Sequence, residues 1–139
     1  TASVREVTEL RAVHSLPHMP ARADGGVVRG LVNVDGDLKI CISLGNLLSL
    51  ERATHEVLQD ITSAYQRMLV VGYGGGDLVF PVSRVLGTRR FESRALGPAP
   101  ATVSQAKGTY TRGVFEDGGF RIAVLDAELV FYSVERQLA

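Results

Sequence analysis

Residues 27–44 read VVRGLVNVDGDLKICISL, and this stretch constrains the fold more than any other. Val27 to Val34 is rich in β-branched residues, which pack well on a pleated surface and favour strands. Asp35-Gly36 supplies the positive-φ pair that a two-residue hairpin turn requires, and Asp37 to Leu44 returns. In the return strand Leu38, Ile40, Ile42 and Leu44 alternate with Lys39, Cys41 and Ser43, which predicts one buried face. Gly45-Asn46 ends the strand, and NLLSL has room for about one helical turn. No side chain in this hairpin is an obvious catalyst, so its purpose must lie in structure or in surface.

Short strands and glycine turns recur through the rest of the chain. RMLVVGY reads as a strand, GGGD as a turn and LVFPVSRVLGTRRF as a long strand. Pro81 within it predicts an edge position or a bulge, because proline has no N–H for a ladder. Residues 92–107 predict a loop with one short helical turn, and TYTRGVFE, a DGG turn and FRIAVL predict another hairpin. Asp126 can cap a terminal helix with Leu129, Val130, Val134 and Leu138 on its apolar side. Between the two strand-rich regions, Glu51 to Gln66 reads as a short helix or a connection, with Ala53, Val57, Leu58, Ile61 and Tyr65 near one face. Long strand–helix alternation is absent. The fold class is mainly β, with small closed barrels or a sandwich as the fitting architectures.

A chain of 139 residues is one domain or two very small ones and can bury a core without staples. Fifteen basic and fifteen acidic residues cancel, which disfavours nucleic acid or an anionic membrane as main partner. Aromatic residues make up only 6%, too few for the stacking platforms of an oligonucleotide-binding barrel. The single cysteine, Cys41, excludes an internal disulfide and fits a reducing compartment. Placed in a strand, it reads as a small buried residue rather than a nucleophile. There is no apolar run of about 18 residues to insert into a membrane, and TASVREVTEL has no signal-peptide core.

The usual carriers of chemistry fail one by one. GYGGGD at 72–77 suggests a phosphate loop, yet no lysine follows and the next element is a strand instead of a helix N-terminus. His14 and His18 have the spacing of a helical zinc pair, but Pro17 between them breaks such a helix. Asp24 is near in sequence without a motif, and His55 is isolated, so no metal or cofactor is expected. No serine lies in a Gly-x-Ser-x-Gly elbow. The carboxylates Glu6, Glu9, Asp77, Glu92, Glu116, Asp126 and Glu128 are scattered singly. Arg89, Arg90 and Arg94 form one basic cluster, read as a solvated strand end. No catalytic residue is expected.

Five elements in order carry a resemblance: SVREV, LPH, GLVNVDGDLKICISL, LVFPVSRVLG and GVFEDGGFRIAVLD. Together they resemble the CheW family of chemotaxis adaptors across essentially the whole chain. The wording CISLGNLL, VFPVSRV and FYSVERQLA is closest to the Wsp-type, surface-sensing branch. The resemblance implies two small SH3-like β-barrels packed together. It also implies a non-catalytic cytoplasmic role at receptor arrays, coupling the cytoplasmic tip of methyl-accepting chemoreceptors to the regulatory domain of a CheA-type histidine kinase. The hairpin would then exist to hold a surface.

Carried over by position, Val4 and Glu6 match the receptor-facing element, and Gly30, Asn33 and Gly36 match the hairpin. Asp35 stands where the family has the arginine that lies near the glutamate matched by Glu6. Two carboxylates are therefore expected to face one another, with Asp35 counted in the receptor-binding set. Ser83 replaces the family's aspartate, and the closing Leu125-Asp126 is kept. By the same resemblance, 1–50 is the remnant of a first barrel, 51–66 a connection and 67–139 mainly a second barrel with its own sheet and the terminal helix. An apolar hairpin that opens family members is expected before SVREV. Its absence from this stretch predicts an exposed edge and a homo-oligomer. Competing readings are a CheW-like regulatory domain of a larger signalling protein and, from another class, a small metal-dependent barrel enzyme using His14 and His18.

Overall fold

A computed structural model describes residues 2–7, 11–12, 26–48, 64–65, 67–98 and 110–138. The residues proposed for a metal (His14, His18 and Asp24), together with His55 and nearly all of the expected 51–66 helix, lie outside the described residues. The elements are β1 (Ser3–Val7), β2 (Arg11–Ala12), β3 (Val28–Val34), β4 (Asp37–Ile42), α1 (Leu44–Leu47), β5 (Ala64–Tyr65), β6 (Met68–Tyr73), β7 (Gly76–Pro81), β8 (Thr111–Asp117), β9 (Phe120–Leu125) and α2 (Ala127–Leu138). One five-stranded sheet has the order β1-β6-β7-β4-β3, while β2-β5 and β8-β9 form two-stranded sheets. The mainly β content and the terminal helix are as expected.

The local turn chemistry acts where the sequence placed it. Asp35 and Gly36 both adopt positive φ, 53° and 89°, so β3 and β4 join through the two-residue turn. β6 and β7 meet at Gly74-Gly75, and β8 and β9 at Gly118-Gly119. The Asp126 carboxylate accepts the Leu129 N–H at 3.2 Å and caps α2. The Ser43 hydroxyl accepts from Asn46 N–H and starts α1.

The expected division at 51–66 does not separate the sheets. β1 pairs antiparallel with β6, and β4 pairs parallel with β7. The β6-β7 hairpin thus sits between strands from residues 1–50, and among the described residues beyond Arg67 only β8-β9 keeps a sheet of its own. Non-local pairing decided this: β6 and β7 carry apolar side chains on both faces and must be central to bury both.

β4 shows the same two-sided burial. The alternation predicted one buried face, yet both Cys41 and Ile42 are fully buried. Cys41 points inward with Val7, Val32, Val34, Met68, Val70 and Val79. On the outer face Ile42, Leu78 and Phe80 pack with Leu47 of α1 and Val130, Phe131 and Val134 of α2. Lys39 lies on the Cys41 face, and Asp77 takes its ammonium at 2.6 Å. Leu38, read as core, is 64% exposed because it flanks the turn beyond the reach of α2. The strand that LVFPVSRVLGTRRF predicted ends at Pro81, and β7 is central rather than an edge. Proline is tolerated there because it closes the ladder.

The sheet is strongly curled. Its terminal strands β1 and β3 would be roughly 19 Å apart if flat, at about 4.8 Å per strand. Arg5 of β1 nevertheless reaches Asp35, at the end of β3, with an N···O distance of 2.9 Å. Curling of this kind closes the inner cluster on itself, as in a small barrel.

The candidate functional site is the outer face of strand β1

β1 alternates Ser3, Arg5 and Val7 with Val4 and Glu6, so its pleat sends the two sets to opposite faces. Val7 enters the inner core. Val4 and Glu6 therefore face outward, opposite Val71 and Leu69 of β6. The register then continues from Val71 to Leu78 and from Leu78 to Ile40 and Leu31, an apolar row across the whole sheet. α2 covers the middle of this face, where Phe131 meets Tyr73 with ring centroids 5.6 Å apart. At the β1 end the row is bare, and Val4 is 63% exposed.

Hairpin residues Gly30, Asn33 and Gly36 shape the opposite edge. The Asn33 side-chain oxygen accepts the Gly36 N–H at 3.0 Å and braces the turn. Gly30 has φ 147° where the β3-β4 register shifts between Val28 and Gly30, a backbone setting that favours glycine.

The expected encounter of Glu6 with Asp35 is replaced by two separate ion pairs. Arg67 Nη1 lies 2.8 Å from Glu6 Oε1, and Arg5 Nη1 lies 2.9 Å from Asp35 Oδ2. The pleat of β1 explains the split. Arg67 precedes β6 by one residue, which places it with Leu69 and Val71 on the outward side beside Glu6. Arg5 is on the other side of β1 and reaches around the curl to the hairpin turn. Val4 and Glu6 are thus brought together, and Asp35 is tied to β1 from behind. Arginine at position 35 would put a second guanidinium against Arg5. Sequence reasoning missed Arg5, Arg67, Leu69 and Val71; the parity of SVREV and RMLVVGY holds the signal, but only the register connects them.

Nothing among the described residues forms a metal-binding group of histidine, cysteine and carboxylate side chains. The Cys41 thiol is fully buried, and desolvation pushes its pKa from 9.0 up to about 12, with Arg29 pulling weakly the other way. The folded thiol holds its proton more tightly than the unfolded one, so this contribution to stability is complete below pH 9 and is lost as pH rises toward 12. Between pH 8 and 10 the stability advantage of the native chain over Cys41→Ala should therefore shrink, by roughly 1–2 kcal/mol. Urea titrations of both proteins at the two pH values measure it, and an unchanged gap would refute it.

A curled mainly β scaffold, helix-covered on one face and bare at one strand, defines a small interaction module. A model of the CheW-like domain family matches residues 1–135, and the chain belongs to that family. The chemotaxis protein CheW of Rhizobium meliloti (strain 1021) is 28% identical over 137 residues, covering 99% of this chain and 81% of that protein. The crystal structure of the scaffolding protein TtCheW from Thermoanaerobacter tengcongensis is similar with a TM-score of 0.62 at 14% identity. That match covers 88% of this chain and 74% of the other, and it is a likeness of fold.

Proposed function

We propose that this protein is a non-catalytic chemosensory adaptor that couples methyl-accepting receptors to a CheA-type histidine kinase. The observation that carries the reading is the bare end of the apolar row: Val4, 63% exposed on an edge strand, with Glu6 beside it on the same face. An exposed aliphatic residue with a charged neighbour on a rigid strand suits a helical partner, whose side chains can cover the row that α2 leaves open. The receptor's cytoplasmic tip is the partner proposed for this face, and the kinase's regulatory domain binds elsewhere on the molecule. Asp35 acts behind the face, holding β1 through Arg5. No described helix is long and apolar enough to cross a membrane. The Wsp-like wording of CISLGNLL, VFPVSRV and FYSVERQLA supports a pathway that responds to surfaces.

Co-sedimentation of the full chain with a receptor tip and with the kinase regulatory domain from the same organism tests the reading. Both should bind, and Val4→Asp should weaken the receptor alone by about ten-fold, because burying an unpaired carboxylate against the partner is costly. Failure of the intact protein to bind either component would overturn it.

A further inference from the structure

We infer that Arg67 is the positioning residue of the recognition face, fixing Glu6 so that one carboxylate oxygen is held and the other is presented to the partner. This rests on the receptor reading above. Arg67 Nη1 donates to Glu6 Oε1 at 2.8 Å, and Oε2 has no partner among the described residues. The Glu6 side chain is 33% exposed and that of Arg67 48%, so the pair is partly dried by the sheet yet open on the side a partner approaches. A free glutamate on an edge strand samples several rotamers, and a partner must pay the entropy of ordering it. The planar guanidinium removes that freedom before binding. Glu6 lies two residues from Val4 on one face, so the partner has a stated chemistry. It is a helix with an apolar side chain for Val4 and, one turn away, a cation or hydrogen-bond donor for Oε2.

The pair is exposed enough to contribute little to folding. Its effect belongs to binding. With the full chain and an isolated receptor tip as probe, titration calorimetry on Glu6→Ala, Arg67→Ala, Arg67→Lys and the Glu6→Ala/Arg67→Ala double variant decides the matter. Each alanine variant should bind the receptor tip about five-fold more weakly, the scale of one partly exposed charged contact. The double variant should bind no more weakly than the worse single, because the two residues act as one unit. Arg67→Lys should recover part of the affinity, and kinase-domain binding and the thermal midpoint should stay at their native values. Loss of receptor affinity in Glu6→Ala but not in Arg67→Ala, or losses that simply add, would overturn the role of Arg67 while leaving the receptor face standing. Parallel loss of receptor binding, kinase binding and thermal midpoint in Arg67→Ala would make the residue structural and overturn it too. If Val4→Asp, Glu6→Ala and Arg67→Ala all bind the receptor tip normally, the face and the inference fall together.

Discussion

Phe131→Ala is expected to lower the stability of the protein by about 3–5 kcal/mol, the usual cost of removing a buried aromatic ring. Phe131 is the aromatic anchor of α2: it is buried, meets Tyr73 at 5.6 Å and shares its cluster with Ile42, Leu78 and Phe80. Leu129 sits on the same helix but is 40% exposed, so Leu129→Ala should stay within about 0.5 kcal/mol of the native chain. Of the apolar side expected from the pattern, Val130 and Val134 are buried while Leu129 and Leu138 are exposed, and urea denaturation of the two variants tests that difference. The reverse ranking would mean that α2 docks through Leu129 and Leu138. Because α2 covers the middle of the apolar row, undocking it would also enlarge the bare surface and promote aggregation.

A second large loss, about 2–5 kcal/mol, is expected for Met68→Ala. Met68 is fully buried in the inner cluster and lies in register with Val7 of β1 on one side and Pro81 of β7 on the other. Truncating it opens a cavity beneath β1, the strand that carries Val4 and Glu6. Hydrogen exchange should quicken at the β1 amides before those of β7, since β1 is an outer strand and β7 a central one. A loss below about 1 kcal/mol would show that the curled sheet does not enclose a packed interior. The face proposed for the receptor should suffer with it, although no outward residue changes.

The family resemblance was legible before any coordinates, because it rests on the order of five short motifs rather than on contacts. The candidate site was legible only in part. Val4 and Glu6 share one face of β1 by the parity of SVREV, but Asp35 is held from the other face of β1, and the arginine paired with Glu6 comes from 61 residues away. Nothing in SVREV names that arginine.

What the sequence determined by itself is local. Asp35-Gly36 folds into its turn because those residues accept positive φ whatever surrounds them. Asp126 caps α2 because a carboxylate three residues before an N–H finds that N–H within one turn. The tertiary structure alone decided which strands are neighbours, and everything that depends on that. Alternation in LKICISL could not reveal that both faces of β4 would be covered, since the cover comes from the curl of the sheet on one side and from α2 on the other. Parallel pairing of β4 with β7 joins segments separated by dozens of residues, and no local preference encodes such a pair. The same holds for the charges: a side chain's partner is whatever the register brings opposite it, and register is a property of the assembled sheet.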